Sequence, residues 1–74
     1  MLKIKEDVDL KELEKFGFVN NNCYCTLYGD YADLFVDKER RIIFIEEDYS
    51  HRQTDAWGVL FDLIQVGLVE KVEG

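Results

Sequence analysis

Proline is absent from this chain, and so is any low-complexity tract or linker that would mark a boundary between folding units. A length of 74 residues therefore reads as one small domain, 1–74. No apolar run approaches the roughly 18 residues of a membrane-spanning helix. The stretch from Met1 to Asp7 lacks the apolar segment and small-residue cleavage site of a secretory signal. A cytoplasmic protein with no membrane partner is expected. Basic residues are also few, nine against sixteen acids for a net charge of −7, and they are scattered from Lys3 to Lys71. Such a chain repels a phosphate backbone, so direct nucleic-acid binding is not expected, whereas basic proteins are easier partners.

Metal-ligating and nucleophilic residues are equally scarce. A zinc site needs four ligands for a structural role or three for a catalytic one, and the chain offers two cysteines and the single histidine, His51, which has no ligand partner at short spacing, so zinc is not expected. Cys23 and Cys25 would point to the same side of one strand, which excludes a disulfide without distortion and makes them buried free thiols on a core face. The acids Glu46, Glu47 and Asp48 lack the spaced ligands and turn glycine of a calcium loop. Nothing local assembles Cys25, His51 and Asp55 into a hydrolase, and there is no glycine-rich phosphate loop or serine nucleophile elbow. No cofactor, metal or catalytic residue is assigned, and an enzyme ranks behind the two binding functions considered below.

What the chain does have is apolar and aromatic surface, 47% and 14% of residues, enough for a folded core and too much for a disordered acidic tail. A domain this small buries only about 60% of its unfolded surface, so that core is marginal without help. The first element is a short helix from about Leu10 to Phe16. Asp9 caps it, Glu12 completes a capping box, Val8 staples to Leu13, and Gly17 ends it in a left-handed conformation with Phe18 packing back on Leu13. A longer C-terminal helix ends the same way at Gly67 and Leu68. It carries Trp57, Leu60, Phe61, Ile64 and Leu68 at spacings of three and four, the pattern of a buried stripe. Its start is open between a cap at Ser50 with Gln53 and a later one at Thr54 and Asp55.

Between the helices the apolar period changes to two. Residues 23–28 and 31–36 alternate around Gly29-Asp30, which suits a type II′ hairpin turn, and 41–46 forms a third strand after a polar turn at 37–40. The expected fold is thus α+β: a short N-terminal helix, a three-stranded antiparallel meander, a longer C-terminal helix, and possible short terminal strands at Lys3-Ile4 and 69–72. Asn20 to Asn22 reads as a loop. A two-residue hairpin turn pairs Tyr28 with Tyr31, Thr26 with Asp33 and Tyr24 with Phe35. An even-length second turn sets Val36 opposite Arg41. Cys23, Cys25, Leu27, Ala32, Leu34, Val36, Ile43 and Ile45 then form one aliphatic face.

The other face gathers Tyr24, Tyr28, Tyr31, Phe35, Ile42 and Phe44, interrupted only by Thr26, Asp33 and Glu46. This exceeds what a solvated face of an antiparallel sheet normally carries. Either one helix covers each face, or a second copy or another protein covers the aromatic one. The segments Asp9 to Phe18 and Asp62 to Val72 resemble the ends of small uncharacterised proteins of Gram-positive bacteria and their phages and prophages, a resemblance that implies no established activity. The leading expectation is a non-enzymatic interaction module that homodimerises through the aromatic face. The alternative is an acidic phage-type inhibitor that mimics nucleic acid and occupies a basic protein groove.

Overall fold

The computed structural model of the chain describes residues 1–47 and 54–72, and within them the fold is α+β with antiparallel sheets. Strand β1 (Leu2–Ile4) is followed by a 3-10 helix at Leu10–Phe16, then β2 (Val19–Asn20), β3 (Tyr24–Tyr28), β4 (Ala32–Asp37), β5 (Ile43–Glu47), helix α1 (Ala56–Gln65) and β6 (Val69–Lys71). The main sheet has four strands in the order β2-β3-β4-β5, and β1 pairs with β6 in a separate two-stranded sheet.

Both helical segments end as their glycines dictate. Gly17 has φ 99° and Gly67 has φ 81°, a region glycine enters without steric cost. The Gly17 N–H donates to Glu14 O and the Phe18 N–H to Leu13 O. In the same pattern the Gly67 N–H donates to Ile64 O and the Leu68 N–H to Leu63 O. Each ending redirects the chain into a strand, β2 in one case and β6 in the other. The first helix keeps the expected bounds but is of the tighter 3-10 type, with the Asp9 side chain accepting from the Lys11 N–H at 2.9 Å. Helix α1 takes Asp55 as its cap, whose carboxylate accepts from the Gly58 N–H at 3.0 Å. Ser50 and Gln53 lie outside the described residues.

Several expectations are corrected. The meander gains a fourth strand, because Val19 and Asn20 pair with Thr26 and Cys25, so Asn20 is strand rather than loop. The terminal strands pair with each other, Leu2 with Lys71 and Ile4 with Val69, and reach the main sheet through a single bridge between Lys3 and Ile42. Both hairpins are shifted from the expected register: Tyr28 faces Asp33 rather than Tyr31, Thr26 faces Phe35, and Val36 faces Ile43.

Each shift has a local cause. Gly29 does not adopt the positive φ that a type II′ turn demands. Its N–H instead donates to the Asp33 carboxylate at 3.1 Å, while Asp30 N–H reaches across to Thr54 O at 2.8 Å. A Cβ at Gly29 would stand 2.3 Å from Ala32 O and 2.5 Å from Ala56 Cβ, so the glycine serves the close approach of α1. In the second turn, Asp37 stays in β4 and accepts from the Glu39 and Arg40 N–H groups, which moves the turn one residue along. Arg41 closes it at φ 65° and is held there by its guanidinium, which donates to Lys5 O at 2.9 Å and to Val8 O.

The core lies on one side of the main sheet. Cys25, Leu27, Leu34, Val36 and Ile43 pack with Leu13 and Phe18, with Ala56, Leu60 and Leu63 of α1, and with Ile4 and Val69 of the small sheet. Both helical segments thus contribute to the same apolar cluster.

Candidate functional site

The register shifts move partners by two positions, which preserves strand parity, so the division of side chains between the two faces follows the sequence pattern. Tyr24, Thr26 and Tyr28 of β3 share a face with Asp33, Phe35 and Asp37 of β4 and with Phe44 and Glu46 of β5. Among the six expected surface residues, Tyr24 and Tyr28 are each 41% exposed, Phe44 46% and Tyr31 56%, while Phe35 is half-buried in their midst. Tyr31 sits in the hairpin connection rather than in a strand. Ile42 is half-buried beside β1 through its bridge to Lys3, which places it at the margin of the surface.

Antiparallel pairing brings Phe35 directly opposite Phe44 and sets Tyr24 diagonal to Phe35. The Tyr24 and Phe35 rings meet edge to face, with centroids 6.1 Å apart and planes at 78°, the arrangement their quadrupoles favour. These rings, with Phe44 and the Glu46 side chain, line an open cavity of about 320 Å³. Beneath the rings the face is polar but shielded: Thr26 is 1% exposed and Asp33 7%. Thr26 Oγ1 accepts from Asn21 Nδ2 at 3.3 Å, and Asp33 accepts from Gly29 N–H, so both hydrogen-bonding groups are satisfied. On the far side of Tyr24 a second depression of about 380 Å³ adjoins Cys23, Asp37 and Lys38.

Cys23 corrects the expectation of two buried thiols. It precedes β3 and is exposed, whereas Cys25 is buried in the core, where desolvation pushes its thiol above the ordinary value. His51 and Asp48 lie outside the described residues. Among the described residues no group of three or more histidine, cysteine or acidic side chains is placed to hold a metal ion.

A second apolar surface was not legible from the pattern of α1. Of the expected stripe, Leu60 is buried and Leu68 half-buried against the core, but Trp57, Phe61 and Ile64 are 50%, 59% and 45% exposed, and the helix buries Ala56 and Leu63 with Leu60. Both sets have the spacing i, i+4, i+7. One is the other displaced by a single residue, about 100° around the helix, and the sheet covers the set whose smallest member, Ala56, fits against Gly29.

The acids are largely engaged in local structure. Lys3 lies between Glu6 at 2.8 Å and Glu70 at 3.5 Å, and Lys15 pairs with Glu12 at 3.0 Å. The hydrogen bond from Lys3 holds the Glu6 carboxyl below its ordinary value, and that same bond raises Lys3. Glu46, at the aromatic cavity, has no ion pair with a described base.

No family model matches the chain, and no curated protein or solved structure matches it either. Among the described residues, no helix is long and apolar enough to cross a membrane.

Proposed function

We propose that the protein is a non-enzymatic interaction module that associates through the aromatic face of its main sheet, with a second copy of itself as the first partner. The observation that carries this reading is the placement of the helices. The 3-10 helix and α1 both pack into the core on the aliphatic side, which leaves Tyr24, Tyr28 and Phe44 of the opposite side 41–46% exposed, with Tyr31 56% exposed in the adjoining hairpin connection. An aromatic side chain presents about 150–250 Å² in all, so these four expose roughly 400 Å² together, within the range of the largest apolar patch on a typical monomer. Two facing copies remove about 800 Å² from these rings alone, and their polar rims bring the interface towards the roughly 1,200 Å² at which specific complexes begin. A dimer that dissociates at micromolar concentration is the expected result. Tyrosine suits such a surface, because it offers large contact area at small entropic cost and keeps a polar group for the rim.

Sedimentation equilibrium from low to high micromolar protein tests the reading. The wild type should shift from about 8.7 kDa towards twice that mass, and Tyr28→Asp and Phe44→Asp should each raise the dissociation constant at least about tenfold, the effect of losing one well-placed aromatic contact. A strict monomer across the range would exclude the second copy as partner. A dimer that both substitutions leave unchanged would place the interface elsewhere.

A further inference from the structure

We infer that the cavity between Tyr24, Phe35, Phe44 and Glu46 is a receptor for an arginine side chain presented by the protein that docks on this face. The inference rests on the reading of the face as an association surface and adds the group that it recognises. The ring planes of Tyr24 and Phe35 stand at 78° to one another, so they form two walls of a corner rather than a flat stack. Phe44, directly across from Phe35 on β5, supplies a third aromatic wall, and Glu46 follows two residues later on the same face. Aromatic faces carry negative quadrupole potential, and a cation within about 6 Å of a ring centroid is attracted to it.

The charge around the cavity has the same sign. The Glu46 carboxylate lines it without an ion pair to a described base, and Asp33 lies opposite Glu46 on β4. The chain as a whole carries a charge of −7. Lys38 lines the separate depression that adjoins Tyr24 and not this cavity. A neutral apolar knob would fill the aromatic corner but would leave the carboxylate beside it unpaired, whereas a guanidinium satisfies both. It stacks on a ring, and its N–H fork donates to the carboxylate. Guanidinium is also more weakly hydrated than ammonium, which favours arginine over lysine in a cavity this open. At about 320 Å³ the cavity is at the small end of ligand sites, which suits one side chain rather than a larger molecule.

The probes are N-acetyl-arginine methylamide and its citrulline counterpart, which has nearly the same shape but no charge. Each is titrated into the full chain, with the ring protons of Tyr24, Phe35 and Phe44 followed by NMR at protein concentrations below the sedimentation transition. The arginine probe should shift these rings and saturate in the millimolar range, with the citrulline probe bound at least about threefold more weakly, as expected for an exposed cation–aromatic contact. Glu46→Gln, at an exposed position, should narrow the preference for arginine over citrulline by removing the carboxylate's share and leaving that of the rings. Equal binding of the two probes, or no shift at these rings, would overturn the inference even if the protein dimerises. Selective arginine binding by a chain that stays monomeric would uphold it and give the face to a basic protein instead of a second copy.

Discussion

At the scale of single residues, burial separates side chains that the sequence presents as equals. Leu63 is fully buried, and Phe61, two positions earlier on the same helix, is 59% exposed. Leu63→Ala should therefore cost about 2–5 kcal/mol of stability, the range for truncating a buried leucine. Phe61→Ala should stay within about 1 kcal/mol, and urea unfolding of the two variants measures the difference directly. The cysteines divide in the same way. Cys23 is exposed, while burial both shields the Cys25 thiol and holds it protonated to higher pH. A thiol reagent at pH 8 should label Cys23 at once and Cys25 only on unfolding, which mass mapping of the labelled peptide checks. Prompt labelling of both would contradict the placement of Cys25 in the core.

At the scale of elements, what was legible from the sequence is what is encoded locally. Gly17 and Gly67 carry their own backbone requirement, so both helix endings and the return of Phe18 and Leu68 were readable from a few residues. Strand parity was readable too, because alternation survives any two-position shift. Exact register was not, because the first turn depends on contacts between Gly29 and Ala56, far apart in sequence. Strand β2 escaped notice for a related reason: two residues, one of them Asn20, show no alternation until β3 supplies the partner. Helix α1 offers two apolar stripes a residue apart, and periodicity alone does not say which one the sheet will cover. The expected stripe mixes the two: Leu60 and Leu68 pack on the core, whereas the bulkier Trp57, Phe61 and Ile64 stay exposed. The junction itself is testable. Gly29→Ala forces a methyl against Ala32 O and Ala56 Cβ, and a substitution that overpacks a tight contact costs about 1–3 kcal/mol. Circular-dichroism melts should show a clear fall in midpoint, and an unchanged midpoint would mean that α1 does not approach the hairpin this closely.

For the whole molecule, the described residues form a main sheet with both helical segments packed on one side, a two-layer arrangement with its core on that side and aromatic side chains exposed on the other. The scarcity of proline, metal ligands and basic clusters excluded much and identified nothing. The aromatic residues of the opposite face are the positive signal, and the candidate surface was legible because it depends only on parity. Trp57, Phe61 and Ile64 provide a competing apolar surface on α1, so association through the sheet must be told apart from association through the helix. A dilution series by NMR, from about millimolar to low micromolar protein across the expected dissociation range, reads both surfaces at once. Concentration-dependent shifts should be confined to the rings of Tyr24, Tyr28, Tyr31, Phe35 and Phe44. Shifts centred on Trp57 and Phe61, with the sheet rings unmoved, would contradict the account.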